Sequence, residues 1–212
     1  DYKVMVHNPE VHSGGNWLAG LGHGIRALLK ASYTLDWTLG LGTTGFHLSN
    51  LLIHLLNGWL VYRLSQHYYV RHGGLPATLP LFVALLFVLH PAHSEAVSYL
   101  SGRSASLMTL CYLAGLLAYT HGRQHASALH LHLLTPLCFL AALLCKETAI
   151  TFPFALLLWE RYALAEQRKP FKAQWTSWAL LLAAVLLFLF STAYQSHMAR
   201  SAHFNTLGGN LA

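Results

Sequence analysis

Apolar runs alternate with short polar joints along most of this chain. Leu79–Leu89 carries no charged side chain, and neither does Ser104–Tyr119. Runs of this kind are read as helices buried in a core or in a bilayer. The pattern predicts apolar helices at Phe46–Leu64, Ala77–Leu89, Ser104–Thr120, Ala128–Cys145, Ile150–Trp159 and Trp175–Tyr194. The fifth is short and carries Pro153, read here as an interruption. Residues 1–44 contain no such run and read as an outer loop, with an interfacial helix around Trp17 and a short membrane-edge helix at Ala31–Gly40.

Within Phe46–Leu64, His47, Asn50, His54 and Asn57 recur at spacings of three or four, which places them on one helical face. A polar stripe on a spanning helix faces protein or a wet cavity. Hydrogen bonding to neighbouring helices is the favoured role, ahead of chemistry.

Composition strengthens the membrane reading. Of 212 residues, 55% are hydrophobic and 9% charged. A soluble domain usually carries roughly 25% charged residues. The expectation is an all-α, polytopic helical bundle forming one transmembrane domain over residues 1–212, with about six spans from residue 46 to residue 194. The abrupt start and end predict a piece of a longer protein. A net charge of +6 without a Lys/Arg block argues against a nucleic-acid surface. The three cysteines, Cys111, Cys138 and Cys145, lie in apolar runs without CxxC spacing and read as buried thiols. No internal repeat is visible.

The charges that do occur are concentrated. His90-Pro91-Ala92-His93-Ser94-Glu95 and the following Arg103 sit between two uncharged runs. Ionisable groups beside hydrocarbon are functional-site candidates by default. Basic residues are densest in Glu160–Gln174, which assigns that loop to the inner face. The acidic first loop, His90–Arg103 and Lys146-Glu147 then share the outer face. Carboxylates there could take a proton from a hydroxyl, and Arg or Lys could hold a phosphate. Ion pairs that merely fasten loops would use the same residues. The 15 histidines include chelating spacings at His90/His93, His121/His125 and His130/His132, but these fall on both faces, so no metal site is expected.

Four segments carry a family resemblance. They are Asp1 with Asn8-Pro9-Glu10-Val11; Gly45-Phe46-His47-Leu48-Ser49-Asn50 through Asn57; His90–Tyr99 with Gly102-Arg103; and Cys145-Lys146-Glu147-Thr148 through Pro153. In order and approximate spacing, this set resembles the membrane half of the transmembrane-and-tetratricopeptide-repeat O-mannosyltransferases and their bacterial relatives. The resemblance implies a GT-C fold. It implies transfer of a sugar from a polyisoprenyl-phosphate donor to a protein hydroxyl or other acceptor on the outer or lumenal face, without a further cofactor. It implies Asp1 and Glu95 as catalytic carboxylates, with His90 and His93 lining the same cavity. Arg103 and Lys146 become ligands for the lipid phosphate, and Glu147 pairs with Lys146 or shapes the pocket. Membrane lipid, the lipid-linked sugar and other membrane subunits are the expected partners. A bacterial inner membrane or the endoplasmic reticulum is the expected location. The alternative is a non-catalytic subunit on the same scaffold, with a structural or assembly role in a larger membrane complex.

Overall fold

A computed structural model describes residues 26–72, 76–164 and 175–190, with the side chains of residues 70–72 and 175–177 not described. Among the described residues every regular element is helical. Helix α1 spans Ala27–Thr38, α2 Gly42–His72, α3 Leu79–Leu89, α4 Ser94–Ser98, α5 Arg103–His125, α6 Thr135–Leu143, α7 Phe152–Tyr162 and α8 Trp175–Leu189. Helix α2 packs against α3 and α5, α5 against α6, and α6 against α8.

Prolines set several boundaries. Pro80 and Pro153 lie in the first turns of α3 and α7, where a missing N–H costs nothing. Pro153 therefore starts α7 and does not interrupt it, contrary to the expectation from sequence. Helix α3 ends at His90, held extended (ψ 128°) ahead of Pro91. The His90 Nδ1 then accepts from the Ala92 N–H at 3.2 Å. The predicted helix Ala128–Cys145 is helical without a gap from residue 128 to Leu143, and Pro136 marks a local widening within it. The stretch His130–Leu134 widens into a π-turn and the Thr135 hydroxyl donates to the His130 carbonyl at 2.7 Å. A proline ring clashes with the carbonyl four residues back, and a π-turn relieves that crowding.

Polarity along α2 is inside out. Asn50, His54 and Asn57 are buried, whereas Leu48, Leu51, Leu52, Leu55 and Leu56 are exposed. Each buried polar group reaches a carbonyl on a neighbouring element. The Asn50 amide donates to Tyr99 O at 3.2 Å, His54 Nε2 meets Val88 O at 3.0 Å, and the Asn57 amide donates to Ser106 O at 2.9 Å. The stripe does interhelical work, as its spacing predicted; His47 alone is left exposed. Helices α3, α6, α7 and α8 also present exposed Leu and Phe outward. Among the described residues no single helix is both long and apolar enough to cross a membrane. Leu79–Leu89 with Pro91–Ser98 passes that test as a pair bent by 50°.

Two apolar clusters form the interior. The larger joins Leu64, Leu116, Tyr119, Phe139, Phe152, Leu156 and Leu181. The smaller joins Leu29, Tyr33, Phe46 and Leu100, and it encloses Arg103. The Arg103 side chain is 0% exposed and its Nη1 lies 2.5 Å from Asp36 Oδ2, itself 5% exposed. Its Nε donates to Asn50 Oδ1 at 2.6 Å, Nη2 to Phe46 O at 2.7 Å and Nη1 to Ser32 O at 3.4 Å. The guanidinium also lies over the Tyr33 ring, 4.6 Å from its centroid. The Ser49 hydroxyl donates to the other Asp36 oxygen at 2.7 Å.

A buried pair broken on one side leaves an uncompensated charge, which costs about 3–5 kcal/mol. Arg103→Met is therefore expected to lower stability by that amount in chemical denaturation. Adding Asp36→Asn to it is expected to cost less than the two single changes summed, because the orphaned charge is gone.

Candidate functional site

The site is built where α5 begins. After α3 the chain makes a 3-10 turn (Pro91–His93), the short α4, and a second 3-10 turn (Leu100–Gly102) that runs into Arg103. This reversal needs Gly102. A Cβ there would lie 2.5 Å from the Glu95 carbonyl oxygen and 2.9 Å from Ala96 Cα, both backbone atoms. The Tyr33 hydroxyl donates to Leu100 O at 2.6 Å and fastens the turn to α1, while burial pushes that hydroxyl's pKa up to about 12. The backbone of Glu95 thus rests on Gly102, next to the buried anchor.

A cavity of about 390 Å³ opens against this turn, lined by His93, Glu95, Tyr99, Ser101, Ser104 and Lys146 among others. Lys146 arrives from the extended joint after α6, with φ −158°. Glu95 is exposed and Lys146 half-buried. The lining therefore offers a carboxylate and an ammonium together with serine side chains. Such a space can accept a proton at Glu95 and hold an anion at Lys146.

His93 backs the cavity in an aromatic stack. Its ring centroid is 4.4 Å from Phe87, 5.6 Å from His54 and 6.1 Å from His90. Partial burial lowers the His93 pKa, and the neighbouring His54 and His90 lower it further. His90 is exposed and caps its own turn.

The structure divides the residues nominated from sequence. Glu95, His93 and Lys146 share the cavity. Arg103, expected as a phosphate ligand, lies behind it, with its guanidinium buried and bonded to Asp36, Asn50 and backbone carbonyls. Glu147 points to α1, where half-exposed Arg26 holds both carboxylate oxygens at 3.1 and 3.3 Å. Asp1 lies outside the described residues. Asp36 was not nominated. Its signal was available: it is the one acid in a short semi-apolar helix, and Arg103 was the one cation of its motif.

At the far end of α5, Arg123 meets Glu160 of α7 at 2.5 and 3.2 Å, and the Trp159 indole donates to Thr120 at 2.9 Å. Among the described residues these charged groups therefore lie towards the two ends of α5. Geometry alone defines an all-helical bundle with an acid–base cavity at one end.

Comparison with known proteins sharpens that description. The chain is 39% identical to protein O-mannosyl-transferase Tmtc1 of Drosophila melanogaster over 158 residues, 71% of this chain and 16% of the fly protein. It is 32% identical to the fly Tmtc3 over 165 residues, 68% of this chain and 18% of that relative. It is 27% identical to human TMTC1 over 194 residues, 79% of this chain and 21% of the human protein. The chain belongs to the Tmtc protein O-mannosyl-transferase family. Its aligned part spans about a sixth to a fifth of the length of these relatives. No family model and no solved structure matches it.

Two expectations follow for the site. Gly102→Ala is expected to displace the Glu95 backbone and cost about 1–3 kcal/mol, measured by denaturant titration. The His93 shift predicts that stability falls on acidification. Below its ordinary pKa of 6.5 the unfolded chain binds a proton that the folded chain resists. The melting temperature is expected to drop between pH 7 and pH 5.5, a window set by that value, and to drop less in His93→Phe.

Proposed function

We propose that this chain is the membrane-embedded part of a glycosyltransferase that moves mannose from a polyisoprenyl phosphate to a protein hydroxyl. The reading extends to this chain the activity named for its relatives. The donor class, the GT-C fold and a multi-pass location in a bacterial inner membrane or the endoplasmic reticulum come from the motif resemblance.

Embedding is supported by the inverted polarity of α2, whose amides are buried and whose leucines are exposed. A surface helix in water presents the opposite arrangement. Length agrees. Ser104 and Gln124, near the two ends of α5, are separated by ~30 Å at the helical rise per residue, about the thickness of the hydrocarbon core. In this reading helices that fall short individually cross together, sheltering one another's polar groups, and residues 1–212 form one membrane domain.

The observation that carries the chemistry is the shared cavity of Glu95 and Lys146. In the proposed reaction the acceptor oxygen attacks the sugar's anomeric carbon and the bond to the phosphate oxygen breaks. The acceptor's proton passes to a carboxylate, Glu95 or Asp1. The departing phosphate carries the bonding electron pair and its charge is met by Lys146. Arg103 and Asp36 position the turn and touch no substrate. Arg26 and Glu147 fix the Lys146 joint against α1.

A second reading, a non-catalytic subunit, draws on one observation: Arg103 and Glu147 are both engaged by the protein itself. Transfer assays with polyprenyl-phosphate mannose separate the two. Glu95→Gln or Asp1→Asn is expected to reduce turnover about 10²-fold or more, the usual worth of a general base. Lys146→Met is expected to weaken donor binding, with the fold intact by circular dichroism. Unchanged transfer in all three variants would falsify the assigned roles. Absence of transfer by the unaltered protein, with stoichiometric recovery in a larger complex, favours the subunit.

A further inference from the structure

At the end of the bundle away from Glu95, two cavities adjoin. One, of about 410 Å³, is almost wholly apolar and is walled by Leu64, Leu79, Val83, Leu113, Leu116 and Trp159 among others. The other, of about 630 Å³, is lined by Arg63, Gln66, His67 and Gln124. Tyr69 and Pro80 line both, so the two spaces share a wall. Among the described residues no acidic side chain lines either one.

We propose that the pair forms one binding site for an anionic phospholipid of the inner leaflet, with an acyl chain in the apolar chamber and the phosphate at Arg63. The order of residues along α5 and into α3 carries the assignment. On α5 the chamber is met at Leu113 and Leu116, and the polar mouth at Gln124 near the helix end. On α2 the two linings interleave, with Val61, Leu64, Ser65 and Tyr68 on the chamber and Arg63, Gln66 and His67 on the mouth, so this helix runs beside both spaces. Where the chain enters α3, the mouth comes first at Ala77 and the chamber reaches Val83. Both α5 and the entry to α3 put the apolar space towards mid-bundle and the polar space towards its end. That is the orientation of a lipid standing in its own leaflet.

Charge selects the headgroup. Arg63 is exposed at the mouth and its guanidinium lies over Trp59, 5.6 Å from the ring centroid, which leaves its N–H edge to a phosphate. The Gln124 amide meets His67 Nδ1 at 3.2 Å and the Gln66 amide donates to the Tyr62 hydroxyl at 2.8 Å, so neutral polar groups frame the cation. The chamber suits a single acyl chain and is too small for a polyprenyl tail, which distinguishes this lipid from the sugar donor. The site rests on the membrane reading but not on the transfer reaction.

The test uses the full chain in phosphatidylcholine nanodiscs doped with phospholipid brominated on its acyl chains, reading tryptophan fluorescence. Trp159 walls the chamber, so a bromine inside it quenches that indole. Brominated phosphatidylglycerol is expected to quench about fivefold more effectively than brominated phosphatidylcholine, the preference one cation near the surface confers. Trp159→Phe removes the selective component, Val83→Phe blocks the chamber without adding an indole and abolishes it, and Arg63→Gln erases the headgroup preference. Native mass spectrometry of retained phosphatidylglycerol gives the same ranking without relying on the Trp159 variant. Equal quenching by both lipids, or selective quenching that survives Val83→Phe or Arg63→Gln, overturns the site as merely annular lipid. Absence of quenching by either lipid overturns the membrane reading as well. Mannosyl transfer, assayed separately, is expected to persist in Arg63→Gln.

Discussion

A guanidinium without access to water holds one end of this bundle together. Arg103 is expensive to bury. The cost is offset only because α1 supplies Asp36 and the Ser32 carbonyl while α2 supplies Asn50 and the Phe46 carbonyl. Five N–H groups in a fixed fork demand acceptors in fixed directions, which a flexible ammonium would not. The start of α5 is therefore tied to two other helices at once. Gly102, the residue before it, seats the Glu95 backbone.

Similar logic recurs through the bundle. In the proposed bilayer setting, helices gain little by hiding apolar surface from one another, so polar contacts and close packing select their partners. Asn57 reaches Ser106 on α5, His54 reaches Val88 on α3, Trp159 reaches Thr120 and Arg123 reaches Glu160. Gly58 lets α3 approach α2, since a Cβ there would lie 2.3 Å from Val88 Cγ2. These bonds make a scaffold whose two ends differ. One carries a carboxylate–ammonium cavity, the other a neutral and cationic mouth above an apolar chamber.

Much of this was legible in the residue order, and the failures are instructive. The period of His47, Asn50, His54 and Asn57 announced a helix with a protein-facing stripe, because local spacing alone fixes which residues share a face. The motif from His90 to Arg103 announced a site, because polar groups between apolar runs are costly. Its division of labour was not legible. Whether Arg103 meets a substrate phosphate or Asp36 depends on where a distant helix packs. The same holds for Glu147, whose partner Arg26 is remote in the chain. The widened turn before Pro136 had a local signal, the proline itself, which the apolar run on either side masked.

Proximity of Glu95 to Lys146 is the central claim, and the Arg103 anchor is its proposed cause. It is tested most directly by introducing Glu95→Cys and Lys146→Cys together in a chain whose native cysteines are replaced by alanine, then measuring thiol cross-linking across the cavity. Efficient cross-linking that collapses on adding Arg103→Met is the predicted result. Cross-linking that fails with Arg103 intact, or that proceeds equally well without it, would contradict the account.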